Sequence, residues 1–166
     1  MTYLIGLMRK NRSFTLVELL IVAIIMGILT GLAIPYVRTS FLDIQSKDTC
    51  WHIMALMRYA QTRSIIERTR YKANFDIVEN RYWLSFQKEP EDTLDKYYRI
   101  KTSIGRTYLL PEGMKIDSMT LEGSIIFYPN GTSDDGKIYF LNKNQKRFVL
   151  EVSGVTGHIE LKEIRQ

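Results

Sequence analysis

Phe14-Thr15-Leu16-Val17-Glu18-Leu19-Leu20-Ile21-Val22-Ala23-Ile24-Ile25-Met26-Gly27-Ile28-Leu29-Thr30-Gly31-Leu32-Ala33-Ile34 is the stretch on which the organisation of the chain turns. Of its 21 residues sixteen are apolar, thirteen of them Leu, Ile, Val or Phe, and the only charge is Glu18. As a helix it is ~31 Å long at about 1.5 Å per residue, which matches a hydrocarbon core of about 30 Å. Thirteen strongly apolar residues at roughly −0.3 to −0.6 kcal/mol each sum to about −4 to −8 kcal/mol on an insertion scale. One acid at mid-helix costs on the order of +3 kcal/mol on such scales. Insertion is therefore predicted despite Glu18. Arg9, Lys10 and Arg12 precede the run and no comparable cluster follows it closely. The bias predicts residues 1–13 in the cytoplasm and the rest across the membrane.

Three readings of this segment compete. A secretory signal peptide would be cut near Gly31-Leu32-Ala33, but its apolar region would exceed the usual span of about 7–15 residues and would contain an acid. A plain membrane anchor leaves Glu18 without a purpose. The third reading accounts for it. Lys10-Asn11-Arg12-Ser13-Phe14-Thr15-Leu16-Val17-Glu18-Leu19-Leu20-Ile21-Val22 resembles the class III signal of type IV pilins and type II secretion pseudopilins: a short basic leader, a small residue, Phe, and an acid at the fifth position of the apolar run. Pro35 falls where those proteins bend the helix. The resemblance implies cutting by prepilin peptidase between Ser13 and Phe14, on the cytoplasmic side, and N-methylation of the new Phe14 amine. Ser13 stands where the family has Gly; it is still small, and the departure implies processing at reduced efficiency. A lone carboxylate in lipid is neutralised or paired. The family implies pairing of Glu18 with the Phe14 amine of a neighbouring subunit, which sets axial register in a filament. The plainer alternative is a protonated, idle Glu18.

The whole chain has 166 residues, one ordinary domain or one domain with an appendage. Its 45% apolar and 25% charged residues exclude wholesale disorder, collagen-like repeats and a polytopic membrane protein. The net charge of +5 is uneven: three of the excess positive charges lie before residue 14, and from Tyr36 onward 20 basic residues face 17 acidic ones. That balance is too mild to imply nucleic acid without a clustered patch. One cysteine, Cys50, excludes an intrachain disulfide and a Cys-based zinc site, and His52 and His158 leave little for a metal centre.

Between Tyr36 and about Arg70 there is no Gly and no Pro. Val37, Phe41, Ile44, Trp51, Met54 and Ile65 form a rough stripe at steps of three, four and seven, predicting one amphipathic helix that continues the membrane helix past a bend at Pro35. Trp51, Met54 and Met57 are predicted to be core rather than a ligand-binding stripe. After Tyr71 the periodicity becomes two. Tyr71–Asp76 and Tyr82–Phe86 are predicted strands joined at Glu79-Asn80; Lys88–Lys96 is a polar, acidic loop; Met114–Met119, Ser124–Tyr128, Lys137–Leu141, Phe148–Val152 and Gly157–Leu161 are further strands. Turns at Pro129-Asn130-Gly131, Asn142-Lys143-Asn144 and Ser153-Gly154 favour antiparallel hairpins.

The head is similar to the GspH/FimT group of minor pseudopilins. Ala55-Leu56-Met57-Arg58-Tyr59-Ala60-Gln61-Thr62-Arg63-Ser64-Ile65-Ile66-Glu67-Arg68 resembles the group's helix end, although an acidic-small pair commonly sits where Ser64 and Ile65 lie. Ile126-Phe127-Tyr128-Pro129-Asn130-Gly131-Thr132-Ser133, Gly136-Lys137-Ile138 and Val152-Ser153-Gly154-Val155-Thr156-Gly157-His158-Ile159 resemble its closing strands. The expected fold is α+β and pilin-like, a long amino-terminal helix, membrane-spanning in its first half, packed on an antiparallel β-sheet head.

Enzyme motifs are absent from the sequence: no GxxxxGK[ST] phosphate loop and no GxSxG elbow. Cys50 and His52, two apart on a helix, point to different faces, which argues against a dyad. Asp134 and Asp135 beside Gly136 supply too few oxygens for calcium, which takes six to eight. Asn130-Gly131-Thr132 is a formal glycosylation sequon and also an ordinary hairpin turn. Lys137, Lys143, Lys146 and Arg147 cluster around one predicted hairpin near Tyr139, Phe140 and Phe148, the general recipe for sequence-independent nucleic-acid binding, set against solvated turn charges.

The sequence therefore reads as a non-enzymatic subunit without cofactors or metal. Residues 1–13 are a leader, 14–35 the transmembrane and filament-core helix, 36–70 its amphipathic continuation and 71–166 a periplasmic β-rich head. The resemblance implies a minor pseudopilin of type II secretion, whose partners are other pseudopilins or pilins, prepilin peptidase, the inner membrane and an inner-membrane assembly platform. A minor pilin of a type IV pilus or competence system is the alternative, and only there is nucleic acid a partner. The mature chain is expected to begin at N-methyl-Phe14; mass spectrometry of protein from the native host that found Met1 intact would overturn this.

Overall fold

The computed structural model describes residues 14–88 and 96–164, without the side chains of 32–40. The leader with Ser13 and most of the predicted acidic loop, residues 89–95, lie outside the described residues. The chain divides into two compact units, Met1–Arg38 and Thr39–Gln166.

Helix α1, Leu16–Glu67, is 52 residues long and runs unbroken through Pro35. Its start is a Thr cap: Thr15 Oγ1 accepts the Glu18 backbone N–H at 3.2 Å, satisfying a donor that the first turn leaves without a partner. Its end is a Schellman turn. Arg68 adopts a left-handed φ of 51°, and the Thr69 N–H reaches back to Ser64 O at 3.2 Å. The helix therefore stops three residues short of the predicted Arg70.

The second unit holds two antiparallel sheets. In chain order the strands are β1 (Tyr71–Asp76), β2 (Arg81–Gln87), β3 (Tyr97–Arg99), β4 (Tyr108–Leu109), β5 (Met114–Met119), β6 (Ser124–Phe127), β7 (Gly136–Asn142), β8 (Arg147–Val152) and β9 (Ile159–Ile164). A single 3-10 turn, Ser103–Gly105, lies between β3 and β4. The first sheet runs β3-β2-β1-β6, with β4 also on β2; the second runs β5-β7-β8-β9. The alternating strands read from sequence are all present; Tyr71–Asp76 and Met114–Met119 keep their predicted bounds, and the others shift by at most three residues at an end. β3 and β4 are additional. At three and two residues they are too short for alternation to show.

Both sheets and the helix share one core. Ala73, Phe75, Tyr82, Leu84, Ile125 and Phe127 come from the first sheet; Ile116, Ile138, Phe140, Phe148, Leu150, Val152 and Ile159 come from the second. The helix contributes Cys50, Ile53, Met54, Leu56, Met57 and Ala60.

The predicted helix stripe is corrected by this face. Of its members with described side chains only Met54 is buried. Phe41, Ile44, Trp51 and Ile65 are 63%, 61%, 49% and 48% exposed, and Trp51 is not core. The buried seam is instead Ser46, Cys50, Ile53, Met57, Ala60 and Ser64, at alternating steps of four and three. Four of its six residues, Ser46, Cys50, Ala60 and Ser64, are small or weakly polar, so a search for large apolar residues settles on the wrong face.

Truncating Ile53, 1% exposed, to Ala should cost about 2–5 kcal/mol. The same change at exposed Ile44 should stay within about 0.5 kcal/mol. Urea unfolding of the two variants measures the difference, and equal costs would mean that the seam is misplaced.

Candidate functional site

In the first unit the described side chains from Phe14 to Gly31 are all exposed. Leu16 is 83% exposed, Val17 62%, Leu19 65% and Met26 62%, so the apolar surface runs around the whole helix rather than along a stripe. A helix apolar on every side needs apolar surroundings. Among the described residues no helix is long and apolar enough to cross a membrane. The side chains described there, 16–31, span ~24 Å at about 1.5 Å per residue. Thr30 Oγ1 donates to Met26 O at 2.7 Å, keeping its hydroxyl satisfied inside the helix.

Phe14 precedes the helix and is exposed. Glu18 sits at the third helical position behind the Thr15 cap. The Thr-x-x-Glu spacing is that of a capping box, and a carboxylate there lies at the positive end of the helix dipole. Pro35 is within the continuous helix.

The four basic residues singled out on the head lie on β7, β8 and their connection, and each faces a carboxylate. Lys137 Nζ is 2.8 Å from Glu151, Lys143 Nζ 3.1 Å from Glu112, and Arg147 Nη2 3.5 Å from Asp117. Glu151 also accepts from Lys162 at 2.8 Å. The hydrogen bonds from Lys137 and then Lys162 hold its carboxyl down at about 2. Lys146 Nζ is 2.6 Å from Asp43 and 4.0 Å from Glu163.

Asp43 was not visible as special in the sequence, where it is one polar residue of a long helix. In the structure it is the helix's hold on the β7–β8 turn. Oδ1 accepts from Asn142 Nδ2 and from Asn144 Nδ2, each at 2.8 Å, and Oδ2 faces Lys146. Asn142 Oδ1 accepts the N–H groups of Asn144 and Lys146 at 2.9 and 3.0 Å. Burial alone would raise the Asp43 carboxyl, but the bonds from Lys146, Asn144 and Asn142 more than offset it, and the group is held below the ordinary carboxylate range.

The segments read as closing strands meet at a second helix contact. Gln61 Nε2 donates to Gly131 O at 3.3 Å and Thr156 O at 3.2 Å. Ser133 N–H donates to Gly154 O at 2.9 Å. Gly157, at φ +62°, lies so close that a Cβ would stand 2.7 Å from Gly131 O. Asp134 accepts from the Ile126 N–H and the Tyr128 hydroxyl, both at 2.9 Å, and Asp135 accepts from the Gly154 N–H at 3.0 Å. Both carboxylates are thus engaged with the chain itself. No group of three or more His, Cys, Asp or Glu suited to a metal occurs among the described residues. Cys50 is buried, its thiol pushed up to about 12 by that burial. His52 Nδ1 lies 2.9 Å from the Tyr82 hydroxyl. The exposed His158 precedes β9.

Residues 8–34 match the prokaryotic N-terminal methylation motif. Two structures of the minor pseudopilin EpsH from the type 2 secretion system of Vibrio cholerae share the fold. One has a TM-score of 0.60 at 11% identity over 72% of this chain and 97% of that one. The other has 0.58 at 10%, over 74% and 97%. The type IV minor pilin FimU of Pseudomonas aeruginosa is more distant, at 0.49 and 13%, over 77% and 92%. No curated protein matches the sequence. The chain thus carries the methylation motif at residues 8–34 and shares the fold of EpsH. Helix α1, Leu16–Glu67, begins within the matched motif.

Replacing Asp43 by Ala should cost about 1–3 kcal/mol by leaving the two amide groups and Lys146 without their acceptor. Because the folded pKa is lowered, the contribution is present above the unfolded carboxylate pKa and is lost as pH falls through the folded one. Stability of the wild type should therefore converge on that of Asp43→Ala below about pH 4. A constant gap down to pH 2 in paired thermal melts would show that the carboxylate charge is not what holds the turn.

Proposed function

We propose that the chain is a minor pseudopilin, a non-enzymatic subunit of the pilus-like filament of a type II secretion system. The observation that carries this is the conjunction of an N-terminal methylation motif with a head whose fold matches EpsH over 97% of that chain. On this reading prepilin peptidase cuts between Ser13 and Phe14, and the Phe14 amine is methylated. Residues 14–35 then anchor the chain in the inner membrane, with the amino terminus cytoplasmic and the head periplasmic. The motif's basic leader and the exposed apolar side chains from Leu16 to Leu29 support that orientation.

Assembly follows from the same surface. Apolar side chains that face lipid in the precursor face neighbouring helices in a filament, alongside other pseudopilins and above an assembly platform. Pro35 supplies a bend where the missing N–H weakens the helix. Glu18 pairs with the methylated amine of a neighbour, and the cost of a bare carboxylate in an apolar core makes that pairing selective for one register.

The test is a clean deletion in the native host, complemented with the wild type or with Glu18→Ala. Loss of several exoenzymes from the medium, with accumulation in the periplasm, is expected for the deletion. Wild type should restore export, and Glu18→Ala should restore little of it. Normal secretion in the deletion would sink the type II assignment and point to a type IV pilus or competence filament. Full rescue by Glu18→Ala would sink the register role alone.

A further inference from the structure

A cleft of about 690 Å3 opens between the end of α1 and the β3 side of the first sheet. Tyr59, Phe86, Tyr98 and Ile100 form its apolar walls. Tyr59, Phe86 and Ile100 rest against the core, while Tyr98 stays 45% exposed. Its charge is one-sided. Arg63, Lys88, Arg99 and Lys101 line it against a single carboxylate, Glu67. Glu67 is already engaged, 2.9 Å from Arg63 and accepting from the Tyr71 hydroxyl. Lys88, Arg99 and Lys101 have no carboxylate partner among the described residues. The Arg99 guanidinium lies over Trp83, 5.6 Å from the ring centre. Arg63 Nε is buried without a hydrogen-bond partner.

The wall beside the cleft is also a sheet edge. β3 pairs with β2 through Tyr97, Tyr98 and Arg99 and ends the sheet. Its other side has no strand neighbour among the described residues, which makes it a sheet edge. A segment added to such an edge gains main-chain hydrogen bonds. Its alternate side chains fall on opposite faces of the sheet, one set toward the cleft.

We infer that the cleft and the β3 edge bind an extended acidic peptide segment of another protein, with an apolar side chain among Tyr59, Phe86 and Tyr98 and flanking carboxylates at Lys88, Arg99 and Lys101. Charge selects the class: unneutralised cations at the rim of an apolar slot attract carboxylates and repel basic segments. Geometry separates a peptide from a nucleic-acid strand. Successive bases need a row of open aromatic faces. Here Tyr71 and Phe86 stack on each other at 5.9 Å, and Tyr98 is the exposed aromatic wall. The slot takes such a segment whichever filament the chain joins.

The test uses the full chain in detergent and a fluorescein-labelled peptide, Asp-Glu-Phe-Asp-Glu-Leu-Asp, read by anisotropy. Saturable binding is expected, weakening between about 50 and 300 mM salt as the rim charges are screened. Lys88→Glu with Lys101→Glu, both on the surface, should weaken it about tenfold or more. Tyr98→Ala should weaken it several-fold without touching charge. A peptide with Lys in place of each acid should not bind.

Absent binding at low salt overturns the inference. So does a Lys88/Lys101 variant that binds as well as the wild type, or a thymidine oligonucleotide that binds more tightly than the peptide. Residues 89–95 carry Glu89, Glu91, Asp92 and Asp95. Binding seen only after these four are made neutral would mean that the chain's own acids take the rim, and it would overturn the reading of an external partner.

Discussion

Everything in the second unit depends on one seam along α1. Ser46, Cys50, Ile53, Met57, Ala60 and Ser64 recur every three to four residues, and Cys50, Ala60 and Ser64 are fully buried. Their small side chains let a helix backbone come close to the strands, and Ile53 and Met57 fill the space between. The polar members are satisfied without leaving the seam. Ser46 Oγ donates to Leu42 O at 2.7 Å; Ser64 Oγ lies 2.7 Å from Gln61 O and 3.1 Å from Tyr128 O. Ser64 thereby ties the helix end to the start of the β6–β7 connection. A larger residue at Ala60 or Ser64 would push helix and sheet apart, at a cost of about 1–3 kcal/mol for each overpacked site.

The first unit is under the opposite constraint. Its described apolar side chains, Leu16 to Leu29, are exposed. Burial in lipid or against other helices recovers roughly 25 cal/mol for each Å2 removed from water. Glu18 lies inside that surface, yet it occupies a favoured place for a carboxylate in the first turn, behind Thr15 Oγ1. Local helix electrostatics and the apolar surroundings thus pull on the same residue in different directions. On the proposed reading, the Phe14 amine freed by cleavage is the cation that relieves the conflict.

What could be read from the sequence follows from which signals are local. The methylation motif is linear: the basic leader, Phe14 and Glu18 are recognised in chain order, and no fold is needed to see them. Strands with strict alternation, such as Tyr71–Asp76, were equally plain. The helix seam was not, because Cys50, Ala60 and Ser64 carry little hydrophobicity, while Phe41, Ile44 and Trp51 carry much and face outward. Asp43 was hidden for a different reason. Its partners, Asn142, Asn144 and Lys146, lie about a hundred positions away, and nothing near it in the chain distinguishes it from Asp48. β3 and β4 exist through pairing with β2 rather than through their own pattern.

The same distinction relocates the charge on the head. Counted along the chain, Lys137, Lys143, Lys146 and Arg147 form a basic hairpin. In space each meets a carboxylate, from Glu112, Asp117, Glu151 or Asp43, at 2.6 to 3.5 Å. Their field beyond a Debye length of about 10 Å is that of dipoles rather than of four positive charges. Lys88, Arg99 and Lys101 are unremarkable in sequence, lying on either side of an acidic stretch, yet among the described residues no carboxylate answers them. A long-range attraction for an anionic partner depends on the charges left uncompensated. Lys88, Arg99 and Lys101 are such charges among the described residues, at the β3 side, whereas those of the β7–β8 hairpin are paired.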